Sequence, residues 1–286
     1  MKLLKNYLPV AVCLLLTLGI TAQNDADDGG SVIQNLTPSK LMAKGQWDIK
    51  LFNNLYTQTE STFANEDGIR QNFFTSTLEV FTGVSDTKRV NLGAIVEYRA
   101  NGRDFVANGI TERRTTSGIT SFAPAIKVVP FKNVGNLSIL SAFSIPLINS
   151  ELDNGVFLDQ NGFTWQNRLF YDYTFAGKKW QIFSEINSEY NFGDKQKSFA
   201  NNSLRLTPGV FLSYFPSSKF TVFVLGQHTE LIDLGNEFSQ NFTALGGGAK
   251  YQLTKELNVE TLYTNFVAGR DTGLGETFNI GLRAVF

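Results

Sequence analysis

Few side chains in this sequence could act in catalysis. His228 is the only histidine, and it stands in Gly226-Gln-His-Thr-Glu230 with Thr229 beside it and no serine two residues beyond. A histidine activates a nucleophile only when the hydroxyl or thiol lies within hydrogen-bond reach and a third group orients the ring. Asn101-Gly-Arg103 could supply polar partners, but it is far from His228 in the chain. We therefore expect no catalytic residue and no enzyme activity.

Metal and thiol chemistry have equally few candidates. Cys13 is the only cysteine and lies in an apolar N-terminal stretch, so a processed chain would hold no disulfide and no reactive thiol. A zinc site needs clustered histidine and cysteine ligands, which this sequence lacks. Four oxygen-bearing side chains could hold calcium, although a solvated acidic loop is the commoner arrangement: Glu151, Asp153, Asp159 and Asn161. We predict no metal site and no cofactor.

The N-terminal residues are typical of a secretory signal peptide. Lys2 and Lys5 precede an apolar stretch over residues 7–20, and Thr21-Ala22-Gln23 offers a cleavage point after Ala22. The stretch is too short for a membrane-spanning helix, and acidic residues follow it at once. We predict a signal peptide over residues 1–22. The whole chain has 25 basic and 26 acidic residues, a balance that does not favour nucleic-acid binding.

Residues 23–44 differ in composition from the chain that follows. Thr37 as N-cap, Pro38 at the first helical position and Gly45 beyond the last turn predict one or two helical turns. We interpret residues 23–44 as an N-terminal periplasmic segment. It is either a loosely held stub or a small plug under the structure that follows, and the stub is the more common case for short terminal segments.

Residues 45–286 are predicted to form a single domain of antiparallel strands. Apolar residues recur at every second position over about 10–14 residues, the length of a tilted strand that crosses a bilayer. Twelve strands are predicted: 45–58, 72–84, 88–100, 119–131, 137–148, 163–175, 179–192, 203–215, 219–231, 241–252, 256–267 and 275–286.

The connections between these strands alternate between short and long. Tight turns such as Ala176-Gly-Lys178 and Pro216-Ser-Ser218 separate longer segments such as 101–118 and 149–162. This alternation is typical of a transmembrane antiparallel up-and-down β-barrel with short periplasmic turns and longer extracellular loops. The expected fold class is therefore all-β, and the expected location is the outer membrane of a Gram-negative cell.

Alternation also assigns the two faces of the wall. One face is apolar, as at Leu92, Phe143 and Leu212, and aromatic residues cluster near both ends of the strands, as in belts at the two membrane interfaces. The turn-side belt holds Trp47, Tyr173, Trp180, Tyr214, Phe220, Tyr251 and Phe286, and the loop-side belt holds Tyr56, Tyr98, Trp165, Tyr190 and Phe278.

The opposite face would line the lumen. Its charged members are balanced between acids and bases, which predicts paired charges in a narrow or occluded interior rather than a pore selective for one sign. Phenylalanines such as Phe52, Phe183 and Phe211 share this face. The lumen-lining candidates are Lys50, Glu79, Glu97, Arg99, Lys127, Arg168, Asp172, Glu185, Glu189, Arg205, Lys250, Glu260 and Arg283, with Asp48 beside them.

The C-terminal strand carries a further pattern. Asn279-x-Gly281-x-x-Ala284-x-Phe286 resembles the signal by which outer-membrane barrels are handed to their insertion machinery, with Ala284 a weak occupant of its apolar position. Asn279, Gly281 and Phe286 are therefore the expected insertion signal.

The chain as a whole resembles outer-membrane barrels that are transporters of the phenol meta-pathway type. The resemblance rests on the architecture, on Trp47-Asp-Ile, on Ser144-Ile-Pro146-Leu and on the terminal Phe286. It implies passage of small organic solutes and assigns no site residue.

Two functions follow as expectations: a narrow channel for small solutes, or a structural, partner-binding barrel with an occluded lumen. The expected partners are outer-membrane lipid and lipopolysaccharide, the barrel-insertion machinery, a small solute and other envelope proteins, with no nucleic acid.

Overall fold

The computed structural model describes residues 39–63, 67–196 and 198–286, which form one closed barrel of twelve antiparallel strands. Each barrel strand pairs with its neighbours in the chain, and the last strand pairs with the first. The barrel strands are β1 Trp47–Ser61, β2 Gln71–Gly83, β3 Val90–Ala107, β4 Ile110–Val128, β5 Leu137–Pro146, β8 Thr164–Thr174, β9 Trp180–Asn191, β10 Ser203–Ser217, β11 Phe220–Asp233, β12 Gln240–Gln252, β13 Leu257–Arg270 and β14 Gly273–Val285. A small hairpin, β6 Leu152–Asp153 with β7 Val156–Phe157, lies in the connection between β5 and β8.

The twelve predicted strands and the predicted fold class are confirmed. The largest difference lies between β3 and β4, where residues 101–118 were expected to be a loop. Both strands instead continue to a two-residue turn at Asn108 and Gly109, whose φ angles are 53° and 76°. Asn-Gly favours this turn because both residues tolerate positive φ, which matches the twist of the flanking strands. The expected loop is therefore a hairpin extension of the wall.

The predicted signal peptide and most of the segment over residues 23–44 lie outside the described residues. Residues 39–46 contain no helix, and Lys44 forms a bridge with Gly83. No helix of the described residues has the length and apolar character needed to cross a membrane.

The two faces of the wall meet different surroundings. Outward positions carry exposed apolar side chains, such as Leu92, Val224 and Ile280, which are 47%, 59% and 51% exposed. Inward positions between them are mostly buried or half-buried, because alternate residues of a strand point to opposite faces. An outer surface of this kind suits hydrocarbon, which offers no hydrogen bonds to polar groups.

The aromatic belts follow the prediction except at one position. Trp47, Trp180 and Tyr251 are exposed near the turn end, and Trp165 is exposed near the loop end. Tyr56 was expected in the loop-side belt, and that prediction is wrong, since its ring contributes to the wall of the internal cavity. Its position in β1 has the same parity as the inward-facing Lys50, Phe52 and Asn54.

The interior is packed on one side only. Apolar side chains from β2 to β9 form a buried cluster that fills that side of the lumen: Phe81, Ile95, Ala123, Ala125, Leu140, Ala142, Phe170 and Phe183. The opposite side, lined by β9 to β14 with β1 and β2, encloses a cavity. This asymmetry sets the position of the candidate site.

Two seams differ from the rest of the wall. At the closing seam, backbone hydrogen bonds join Trp47 to Phe286, and the Arg283 guanidinium donates to both carboxylate oxygens of Asp48 at 2.8 and 2.7 Å.

At the β4–β5 seam, cross-strand pairing stops between Phe122 and Ala125, where Pro124 has no backbone N–H to donate. A cavity of about 570 Å³ opens beside Pro124 on the outer surface, under Phe143, Trp165 and Phe192.

Candidate functional site

The candidate site is a cavity of about 550 Å³ inside the barrel. Aromatic rings dominate its walls, and threonine, asparagine and glutamine side chains stand between them, including Thr75, Asn279 and Gln227. The aromatic residues are Phe52, Tyr56, Phe183, Phe211, Phe215, Phe223, Phe242 and Phe266. We call this space the aromatic chamber. Its volume is within the range of small-molecule sites.

Rings from adjacent strands contact one another around the chamber. Phe211 of β10 lies between Phe183 and Phe223, with ring centroids 5.4 and 6.1 Å apart. On the other side, Phe266 stacks on Phe242 at 4.2 Å and lies 4.9 Å from Tyr56. Aromatic contacts of this kind restrain the rings and leave their faces available to an apolar ligand.

Charged side chains separate the chamber from a smaller cavity of about 130 Å³ near the turn end. We call this layer the charged floor: Asp48, Lys50, Glu79, Lys127, Arg168, Glu185, Lys250, Glu260 and Arg283. Three ion pairs cross it, at 2.7 Å for Arg283–Asp48, 3.3 Å for Arg168–Glu79 and 2.6 Å for Lys250–Glu260. Direct pairing limits the cost of holding charges away from bulk water.

Three residues of the charged floor lie outside these pairs: Lys127, which contacts the N-terminal segment, and Lys50 and Glu185. Among the residues that the structure describes, neither Lys50 nor Glu185 has an opposite charge within 4 Å. The Lys50 ammonium lies over the Phe52 ring, 5.0 Å from its centroid. Lys50 and Glu185 line the chamber as well as the smaller cavity, so they stand at the junction of the two spaces.

The remaining predicted lumen-lining residues are placed toward the two ends of the barrel. Near the loop end, Arg205 pairs with Glu189 at 3.3 Å, and Arg99 pairs with Glu97 at 3.1 Å. Near the turn end, Lys127 and Asp172 contact the N-terminal segment. The structure thus divides the candidates into three groups: the charged floor, the loop-end pairs of Glu97, Arg99, Glu189 and Arg205, and the turn-end Asp172 with Lys127 of the floor.

Residues 39–43 lie against the inner wall at the turn end. The Ser39 hydroxyl donates to the Asp172 carboxylate, and the Lys127 ammonium donates to the carbonyl of Lys40 at 3.5 Å. Leu41 and Met42 are 9% and 5% exposed. The described part of the N-terminal segment is therefore docked rather than loose, as the plug alternative requires.

The loop end is covered by inward-folded loops. The β6–β7 hairpin turns over the mouth, where the Asn101 amide donates to the carbonyls of Phe157 and Leu158 at 2.8 and 2.9 Å. Asp159 from the same loop accepts from the Arg99 guanidinium at 2.9 Å. The contact ties the loop to the inner face of β3.

Four phenylalanines from four loops make a chain across this end. Phe199 contacts Phe157 at 5.7 Å and Phe238 at 5.3 Å, and Phe238 stacks on Phe63 at 6.2 Å. Nearby, the Asp233 carboxylate accepts hydrogen bonds from the backbone N–H groups of Gly235, Asn236 and Glu237. These contacts order the loops over the chamber.

The candidate residues for catalysis and metal binding contact other groups. His228 is partly buried, and its Nδ1 lies 2.9 Å from the Thr243 hydroxyl of the adjacent strand. Its Nε2 lies 3.5 Å from Glu230, which also faces Arg270 at 3.8 Å. Glu151, one of the four side chains that could hold calcium, accepts a hydrogen bond from the backbone N–H of Asn161. No group of three or more potential metal ligands occurs among the described residues.

Sequence reasoning missed two parts of this site. It favoured a loose N-terminal stub, because nothing in residues 39–43 shows which wall they contact. It also left the loop over residues 149–162 without structure, although Asn154-Gly155 offered the same turn signal as Asn108-Gly109. The aromatic contacts between loops join residues far apart in sequence, and no local pattern predicts them.

No family model matches this sequence, and no curated protein matches it. Its fold is similar to that of an outer-membrane channel from Pseudomonas putida F1, with a TM-score of 0.67 and 12% identity over 92% of this chain and 100% of that chain. It is also similar to the β domain of the Bordetella autotransporter BrkA, with a TM-score of 0.56 and 13% identity over 85% of this chain and 100% of the other.

These identities are low, so the likeness is one of fold. The closed twelve-stranded wall, its apolar outer surface and its structural neighbours agree with the resemblance found in the sequence. The chain is an outer-membrane β-barrel.

Proposed function

We propose that this barrel is a narrow channel for small solutes, with the predicted lumen-lining residues along the path. The observation that carries the proposal is the aromatic chamber of about 550 Å³. A barrel with a purely structural role would gain stability from filling that space, because apolar packing contributes about 25 cal/mol per Å² of surface removed from water. A retained cavity with mixed aromatic and polar walls favours a ligand or a passing solute.

Two closures divide this path. At the turn end, residues 39–43 lie against the inner wall, and the charged floor borders a small cavity of about 130 Å³. At the loop end, the β6–β7 hairpin and the phenylalanine chain cover the mouth. Passage therefore requires displacement of residues 39–43 or of the loops, and conductance of the resting barrel should be small.

Planar-bilayer recording tests this proposal. The double variant Leu41→Gly with Met42→Gly removes the apolar anchors of the docked segment and should raise single-channel conductance severalfold. Lys44→Gln, at the exposed side chain that follows the segment, is the matched control and should leave conductance unchanged. Liposome swelling with small uncharged solutes should follow the same order.

The alternative is a structural, partner-binding barrel with an occluded lumen, and one observation favours it. Val106 and Ile110 lie at the tip of the β3–β4 hairpin, which extends past the other strands of the wall. Their side chains are 62% and 72% exposed. Absence of conductance in both the natural chain and the Leu41→Gly, Met42→Gly variant would support this alternative and contradict the channel.

A further inference from the structure

Lys50 is placed differently from the other cations of the charged floor. In the barrel register it lies opposite Glu79 of β2 and Arg283 of β14. Glu79 is engaged by Arg168 across the lumen, and Arg283 is engaged by Asp48. Lys50 is thereby left without a carboxylate within 4 Å among the described residues, although four acids belong to the same layer.

The Lys50 ammonium borders the aromatic chamber. It lies over the Phe52 ring at 5.0 Å, and on β12 the Lys250 ammonium lies over Phe223 at 5.6 Å while paired with Glu260. Aromatic faces stabilise a cation without neutralising it. Lys50 therefore makes no direct ion pair among the described residues, and its ammonium keeps hydrogen-bond donors for another group that enters the chamber.

The balance of the charged floor determines the sign of a favoured ligand. Five of its nine members are basic, and three of the bases are neutralised by direct pairs. Lys127, the fifth base, donates to the carbonyl of Lys40. Glu185 is the single acid of the floor that lacks a pair among the described residues, and it opposes entry of a second negative charge. The charge of the floor therefore favours a ligand with one negative charge over a cation or a dianion.

The walls above the floor determine the rest of the ligand. Phe211, Phe223 and Phe266 present rings around a space large enough for a one-ring molecule with a short side chain. Burial of an aromatic body there would be favoured by removal of apolar surface from water and by ring contacts. One end of the chamber is apolar and the other is charged, so the matching solute is amphipathic.

We propose that the aromatic chamber is a binding site for an amphipathic monoanion, whose aromatic body contacts the phenylalanine walls and whose carboxylate is held by Lys50. The proposal deepens the proposed channel function by naming a solute class, and it rests on that function only for the passage of the solute. Lys50 is the specificity-determining residue of the site. Glu185 limits the affinity for the anion.

Calorimetric titration of the full barrel in lipid nanodiscs tests the site directly, with empty nanodiscs as the reference for partitioning into lipid. The probes are 3-phenylpropionate, the neutral 3-phenylpropionamide and the cationic 3-phenylpropylamine. The natural chain should bind the carboxylate most tightly. Lys50→Gln should weaken carboxylate binding about tenfold or more, the expected effect of losing a charge-assisted hydrogen bond, with little change for the amide.

Two further variants complete the design. Glu185→Gln should tighten carboxylate binding, because it removes the opposing charge. Lys219→Gln, in the exposed turn before β11, removes a lysine far from the chamber and should change nothing. A heat-modifiability gel confirms that each variant is a folded barrel before titration.

Several results would overturn the proposal: no binding of 3-phenylpropionate, equal affinity of the natural chain and Lys50→Gln, equal weakening of acid and amide, or tightest binding of the amine. Flux into proteoliposomes separates this inference from the channel. Lys50-dependent binding without flux would support the proposed binding site and contradict the channel function. Flux without Lys50-dependent binding would support the channel function and contradict the proposed binding site.

Discussion

Adjacent residues of one strand meet two different solvents in this barrel. Val210 of β10 is 39% exposed on the lipid-facing surface, whereas its neighbour Phe211 faces the chamber. In hydrocarbon a charged side chain has no hydrogen-bond partners, while in the lumen it finds polar groups and water. The effect of a substitution therefore depends on the parity of its position as well as on its chemistry.

Val210→Arg should destabilise the folded barrel by about 2–4 kcal/mol, because the residue lies near the middle of a membrane-crossing strand. Gln227→Arg is the matched control. It lies at similar depth on the adjacent β11 but lines the chamber, so it should cost much less. Urea titration in lipid vesicles measures both. Equal losses of unfolding free energy would show that the two faces have been assigned wrongly.

At the scale of the element, β12 shows how the wall accommodates its bulky interior. Gly246 and Gly248 have no side chain where neighbouring atoms approach closely. A Cβ at Gly248 would lie 2.2 Å from the Thr261 carbonyl oxygen and 2.6 Å from the Phe223 ring. The glycine run thus permits close approach of β13 and of a chamber ring, as expected for glycine within a strand.

Gly248→Ala should destabilise the barrel by about 1–3 kcal/mol, since a backbone carbonyl and a packed ring must both move. Gly226→Ala in β11 is the comparison, because its Cβ would meet only the end of the Leu245 side chain at 3.4 Å. That change should be neutral or slightly stabilising through reduced entropy of the unfolded chain. Thermal unfolding followed by gel mobility would rank them, and similar midpoints for the two variants would contradict the close-approach argument.

At the scale of the whole molecule, the barrel depends on closure between its first and last strands. β14 brings Phe278, Ile280, Leu282 and Phe286 to the outer surface, and Asn279 and Gly281 lie on the inner face. Phe286 is 61% exposed and its backbone pairs with Trp47. The terminal aromatic is therefore exposed on the outer surface at the closing seam.

Deletion of Phe286, or Phe286→Asp, should prevent stable assembly, because it removes the exposed aromatic and, for the deletion, two backbone hydrogen bonds of the seam. Phe286→Tyr keeps a ring at the same position and should assemble normally. Cell fractionation with a heat-modifiability gel measures the outcome. Normal outer-membrane assembly of the Phe286→Asp barrel would sink the insertion-signal hypothesis.

The sequence alone determined the elements, the faces and the closure of this protein. Period-two alternation assigns Leu92 and Leu212 outward and Lys50 and Glu185 inward, because side-chain direction in a strand follows from local geometry. Alternating turns and loops predict neighbour-to-neighbour pairing, and an even number of strands lets β14 close on β1. The two differences from the sequence prediction also have local causes. Tyr56 shares the inward-facing parity of Lys50 and Phe52 in β1, and Asn108-Gly109 is itself a sequence typical of a two-residue turn.

Only the tertiary structure decided which inward groups meet. Arg168 pairs with Glu79 from a strand far away in the chain, and that pairing leaves Lys50 without a partner within 4 Å among the described residues. Residues 39–43 and the four loop phenylalanines likewise find contacts that no sequence spacing specifies. The physical reason is that strand patterns are set by neighbours along the chain. Contacts across the lumen depend on barrel diameter, strand register and side-chain reach together, and these quantities exist only once the wall has closed.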